Sequence, residues 1–189
     1  MRKLAIVFPG IGYTVDKPLM HYSRRLALSL GYEVKVLPYN GFPPKIQGDT
    51  DRIMRSFEIA LGQSEEMLAE TDLSQYNDIL FVGKSIGTIV AAKIASDSPY
   101  RNKIRLILYT PLEETFGFSF DQAIAFTGTA DPWVGKNDSR IPELCEKYGI
   151  PCFVIEDGNH SLETDDPIED IKRLKKIMKK TEKFIKQEI

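Results

Sequence analysis

Two kinds of hydrophobic run alternate along this chain. Leu4–Phe8 and Ile79–Val82 are short and unbroken, with no polar alternation, as strands covered on both faces require. Other stretches repeat apolar residues every three or four positions, the period of an amphipathic helix. Ile53, Phe57, Ala60 and Leu61 mark one such face, and Ile86, Val90 and Ile94 another. The pattern predicts strands over 4–8, 33–37, 79–82, 104–109, 123–127 and 152–155. Helices are expected over 19–30, 50–70, 86–96, 139–148 and 168–186, with Gly62 a candidate kink or break in the second. Strands that alternate with helices imply an α/β fold, a three-layer αβα sandwich around a mostly parallel sheet of about six strands.

Composition narrows the picture without naming a chemistry. The chain's 189 residues suit one domain with a substantial core. With 25 basic and 27 acidic residues the net charge is -2, which gives no field to gather nucleic acid or an anionic membrane. No apolar run reaches membrane-spanning length, and Pro9-Gly10 ends the first one too soon for a signal peptide. Cys145 and Cys152 make neither a disulfide framework nor a metal set, and read as small hydrophobes in a reducing compartment. A cytoplasmic protein without metal or organic cofactor is expected. The last helix carries eight basic residues between Lys172 and Lys186. Ile171, Leu174, Ile177, Met178, Phe184 and Ile185 supply its apolar face. That is the pattern of a docked terminal helix with a solvated basic side.

Chemistry concentrates where the strand at 79–82 runs into Gly83-Lys84-Ser85-Ile86-Gly87 and then directly into a helix. A serine at so sharp a turn exposes its Oγ, and glycines two residues to either side allow close backbone approach. The letters Gly83-Lys84-Ser85 also end a phosphate loop. That loop needs a glycine five residues earlier, where this chain has Asp78, and a flexible loop where it has Ile79–Val82. Serine is a weak nucleophile until a base takes its proton. Of two histidines, His160 follows the last strand in Gly158-Asn159-His160-Ser161, on the same sheet edge as Ser85. His21 falls early in the first helix, as a helix or site-wall residue. Asp131, in Gly128-Thr129-Ala130-Asp131-Pro132-Trp133, is the preferred carboxylate to orient the base; Asp138, Asp157 and Asp165 are weaker rivals. The N–H of Ile86 and one from Ile11 or Gly12, after the first strand, would form an oxyanion hole. Tyr13, Lys84 and Trp133 would line the substrate site. Lys84 either points to solvent or favours an acidic substrate.

Together these motifs resemble the α/β-hydrolase superfamily, whose G-x-S-x-G elbow and Ser…Asp…His order match Ser85, Asp131 and His160. The resemblance is to small, compact members of the dienelactone-hydrolase and carboxylesterase kind. It implies a minimal fold that lacks the two opening strands and, since 110–122 holds no long insertion, a single lidless domain over 1–189. The implied activity is hydrolysis of small carboxylic esters or thioesters through an acyl-enzyme, with a small-molecule partner and no nucleic acid or membrane. Monomer and homodimer both stay open. The alternatives are an acyltransferase using the same triad, or a non-catalytic binding or regulatory protein on the hydrolase scaffold. Phe116, Phe118 and Phe120 would form either a short apolar wall over the site or part of the core.

Overall fold

The computed structural model describes residues 1–135 and 139–189. In chain order the elements are β1 (Lys3–Phe8), α1 (Pro18–Ser29), β2 (Glu33–Val36), α2 (Thr50–Leu68), β3 (Asp78–Lys84), α3 (Ile86–Asp97), β4 (Ile104–Tyr109), β5 (Gln122–Gly128), α4 (Ile141–Lys147), β6 (Cys152–Ile155) and α5 (Pro167–Ile185). The six strands form one sheet in the order β2-β1-β3-β4-β5-β6, and every neighbouring pair is parallel.

Alternation along the strands sorts the apolar side chains into two cores. Leu4, Ile6, Phe8, Ile79, Phe81, Leu106 and Leu108 pack with Phe57, Ala60, Val90 and Ile141, so α2, α3 and α4 cover that face. Ala5, Val7, Leu80, Val82, Ile107 and Tyr109 meet Leu19, Met20, Ile177 and Phe184, so α1 and α5 cover the other. The unbroken apolar runs are thus buried on both sides, the expected three-layer arrangement. No helix among the described residues is long and apolar enough to cross a membrane.

Several details depart from the pattern-based expectation. Helix α2 runs without a break through Gly62, where a side chain would meet only open space. One glycine weakens a helix interior by about 1 kcal/mol, which the docking of Phe57 and Ala60 outweighs. Helix α4 begins later than expected, at Ile141, with Ser139 Oγ accepting the Ile141 N–H. On α5, Ile171 is exposed although it fits the apolar stripe, while Thr181 is buried and bonds Tyr109 Oη at 2.6 Å. Phe116 is buried in the core, with Phe118 and Phe120 packed against the same cluster. The three phenylalanines are therefore core, not a wall over the serine.

The strand order places a switch point between β1 and β3, because the chain leaves β1 toward β2 and leaves β3 toward β4. Loops diverge there at the carboxyl ends of the strands and open a crevice, the usual ligand position in open α/β sheets. Ser85, Asp131 and His160 all sit on that edge.

Candidate active site

Ser85 follows the last residue of β3 and precedes the first residue of α3, with φ 53° and ψ -123°. A positive φ is costly for a residue with a Cβ, of order 1–3 kcal/mol, and the surroundings hold it in place. Ser85 N–H donates to Tyr109 O, extending the β3–β4 ladder, while its carbonyl accepts from Thr88 N and Thr88 Oγ1 at 2.8 and 2.6 Å. The flanking glycines serve close approach. A Cβ on Gly87 would lie 2.1 Å from Phe8 O, and one on Gly83 would lie 2.8 Å from Thr88 Cα. Helix α3 can start directly behind β1 only because both side chains are absent.

His160 and Asp131 reach Ser85 by a second close approach. A Cβ on Gly128 would lie 2.0 Å from Gly158 O, so the loops after β5 and β6 touch at bare backbone. Ala130 N–H donates to Gly158 O and Thr129 N–H to Ile155 O, both at 3.0 Å. The result is a continuous relay. His160 Nδ1 lies 2.8 and 3.0 Å from the two Asp131 oxygens, and Nε2 lies 2.8 Å from Ser85 Oγ. A carboxylate at Nδ1 places the ring proton there and leaves Nε2 free to accept from the serine hydroxyl. Ser85, His160 and Asp131 thus adopt the arrangement of a serine-hydrolase triad on a nucleophile elbow.

Asp131 is fully buried and also accepts from Trp133 N–H at 2.9 Å, so its turn-forming and ring-orienting roles coexist. The Trp133 ring stacks on His160, centroids 5.0 Å apart. Burial pushes the His160 pKa below its ordinary value, the Asp131 hydrogen bond opposes this, and the Lys84 charge lowers it further. The imidazole is therefore neutral near pH 7, ready to accept a proton.

Thr110 also holds the histidine loop. Its Oγ1 donates to His160 O at 3.1 Å and its N–H to Phe126 O at 2.7 Å, tying the histidine loop to the end of β4. A lone threonine after a strand carries no signal of such a bond. Asn159 holds the same loop from within, its Oδ1 accepting the N–H groups of Ser161 and Glu163. His21 lies on α1, edge-on to Tyr22. Asp157 occupies a turn at φ 54° with its N–H donating to Thr129 Oγ1. Asp138 lies outside the described residues.

Ser85 and His160 open onto a cavity of ≈ 170 Å³ lined also by Ile11, Gly12, Tyr13, Ile46, Ile53, Lys84, Ile86, Leu112, Trp133 and Ser161. Its walls are mainly apolar. As the first residue of α3, Ile86 has an N–H without an intrahelical acceptor. The loop after β1 turns tightly, Tyr13 N–H donating to Gly10 O at 3.3 Å with Gly12 at φ 71°. Tyr13's amide is thus engaged inside the turn. Lys84 departs from the solvent-facing alternative: it is 1% exposed, and its Nζ lies 5.0 Å from the Tyr13 ring centroid.

No protein-family model matches this sequence, and no curated protein matches it. Solved structures share the fold. An α-β serine hydrolase homologue from Coxiella burnetii aligns over 96% of this chain and 84% of its own, with TM-score 0.63 and 19% identity. A serine hydrolase without a lid from Xanthomonas campestris aligns over 99% and 82%, with TM-score 0.64 and 15% identity. An esterase from Pyrococcus furiosus aligns over 98% and 82%, with TM-score 0.65 and 15% identity. At such identities the likeness establishes the α/β-hydrolase fold, here in its six-stranded minimal form.

Proposed function

We propose that this chain is a serine-dependent hydrolase of small carboxylic esters or thioesters, working as a single lidless domain of the carboxylesterase kind. The observation that carries the reading is the unbroken relay from Asp131 through His160 to Ser85 Oγ, open to an apolar cavity. His160 takes the Ser85 proton as Oγ attacks the carbonyl carbon, and Asp131 stabilises the resulting imidazolium. The Ile86 N–H and the N–H of Ile11 or Gly12 receive the oxyanion; losing one such donor typically costs about 3 kcal/mol of transition-state stabilisation. The leaving alcohol or thiol takes the proton back from His160. Water then repeats the sequence and releases the acid. Nucleophile, base and electrophilic donors all come from the polypeptide.

Cavity size supports a small substrate. An apolar cavity of about 150 Å³ holds one benzene ring, so a group of that size fits among Ile11, Ile46, Ile53 and Leu112 while anything larger projects outward. A non-catalytic binding protein has no need of a base 2.8 Å from a serine hydroxyl, and this favours turnover over the scaffold-only reading.

The test is fluorophosphonate labelling with intact-mass readout, alongside hydrolysis of p-nitrophenyl acetate. Wild type is expected to gain one adduct and to turn over the ester; folded Ser85→Ala is expected to do neither. Equal hydrolysis by folded Ser85→Ala would sink the assignment.

A further inference from the structure

Among the described residues lining this cavity, Lys84 is the charged side chain that the proposed mechanism leaves unused. Its stem packs against the loop after β1: a Cβ on Gly10 would lie 3.3 Å from Lys84 Cγ and 3.3 Å from Ser85 Cβ. The side chain is almost wholly buried, yet among the described residues Nζ makes no hydrogen bond or salt bridge. Nζ instead lies over the Tyr13 ring. Tyr13 is held there by accepting the Leu19 N–H at 3.2 Å, and burial raises its phenol pKa, so the ring stays neutral. A buried cation normally meets a carboxylate directly. Here the carboxylates stand off: Asp131 is engaged by His160 and the Trp133 N–H, and Glu163 lies in the loop beyond His160.

An ammonium against a π face keeps its field instead of having it cancelled at contact distance. The group that changes charge in the proposed reaction, His160, lines the same cavity as Lys84. We infer that Lys84 is a positioning residue for the triad: its buried positive charge opposes protonation of His160 and so holds the imidazole as a free base. Among the described residues, the charged groups around the pair are Asp131 after β5, Glu163 after His160, and Lys84 itself, with neutral Tyr13 after β1. Asp131 favours the imidazolium and Lys84 disfavours it. Through this opposition the site keeps a carboxylate to orient its base without trapping a proton on it. Burial lowers Lys84 to about 7, with Asp131 and then Glu163 holding it up, so the ammonium is present on the acid side of neutrality, where His160 would otherwise protonate.

The inference rests on the hydrolase reading, and the experiment separates the two. Trp133 is the chain's one tryptophan and stacks on His160, so its emission, quenched by protonated imidazole, reports His160 protonation without any substrate. Emission and the fluorophosphonate labelling rate are measured against pH in wild type, Lys84→Met and Lys84→Gln. The wild-type midpoint is expected below the ordinary histidine value. Both variants should move the midpoint and the acid limb of labelling to higher pH by roughly one unit, the scale of one nearby charge at an effective dielectric constant of about 20–40. Met and Gln should behave alike, because charge and not shape is what they lose. Acid limbs that coincide in all three proteins overturn the role of Lys84, as does a wild-type midpoint at or above the ordinary value. Absence of labelling in folded wild type at any pH overturns the hydrolase reading itself.

Discussion

A lysine buried next to a nucleophile must weaken the fold that holds it. The folded pKa of Lys84, about 7, lies below the ordinary 10.5, so between these values the unfolded chain binds a proton that the native chain does not. Stability therefore rises with pH through that window, and below it the full cost of the buried charge is present. Lys84→Met is expected to stabilise the protein at pH 7 by about 2–5 kcal/mol, with the advantage shrinking toward pH 10. Urea denaturation of both proteins at the two pH values checks this; a variant equally or less stable at pH 7 contradicts it. The expected pairing of a gain in stability with an acid limb displaced to higher pH marks a residue kept for chemistry. At this scale the sequence was legible in part. Ser85, His160 and Asp131 could be named because their chemistry restricts the choice: a serine between close glycines, one histidine after a last strand, and an aspartate just beyond the strand before it. Thr110 and the burial of Lys84 were not legible, since neither residue type signals its partner. A lysine at a strand end can face either way until the neighbouring loop puts Tyr13 beside it.

Elements meet at this site through backbone, and that is why glycines set its geometry. Gly87 lets α3 begin against Phe8 O, and Gly128 lets the β5 loop rest on Gly158 O. Gly128→Ala must displace the β6 loop, separating His160 from Asp131 while leaving the elbow at Ser85 untouched. We expect the labelling rate of Ser85 to fall by at least about tenfold, with stability lowered by a few kcal/mol. A folded Gly128→Ala protein that labels at the wild-type rate would show that the two loops are positioned by something else. The helix and strand periods gave the right element order, and most misplacements lay at ends or at Gly62. Terminal residues are decided by local bonds such as Ser139 Oγ to the Ile141 N–H and the Asp166 cap of α5, and continuity across Gly62 by tertiary packing of α2.

Across the whole molecule, function and stability are anchored at opposite edges of the sheet. The reactive residues follow the carboxyl ends of the strands. At the other end, Arg105 on β4 is buried and bonds both Asp78 oxygens at 2.9 Å, Tyr32 Oη at 2.7 Å, and the Phe184 and Ile185 carbonyls at 2.5 and 3.2 Å. The guanidinium thereby joins β3 and β4 to the last carbonyls of α5. Arg105→Met leaves the half-buried Asp78 without its cation, held only by the Tyr32 hydroxyl at 2.6 Å, and is expected to destabilise the fold by about 2–4 kcal/mol. Hydrogen exchange should accelerate across 167–185, while Ser85 in the folded fraction labels at the wild-type rate. Loss of labelling without loss of stability would refute this separation. What the sequence by itself determined is the alternation of doubly buried strands with amphipathic helices, and with it the layer order and the edge where chemistry collects. Apolar periodicity dictates those because every such face must be covered. Tertiary structure alone decided the distances: the 2.8 Å steps of the relay, the contact of two loops at Gly128, and the lysine enclosed beneath Tyr13. These depend on atoms far apart in the chain meeting to within a fraction of an ångström, which no local pattern encodes.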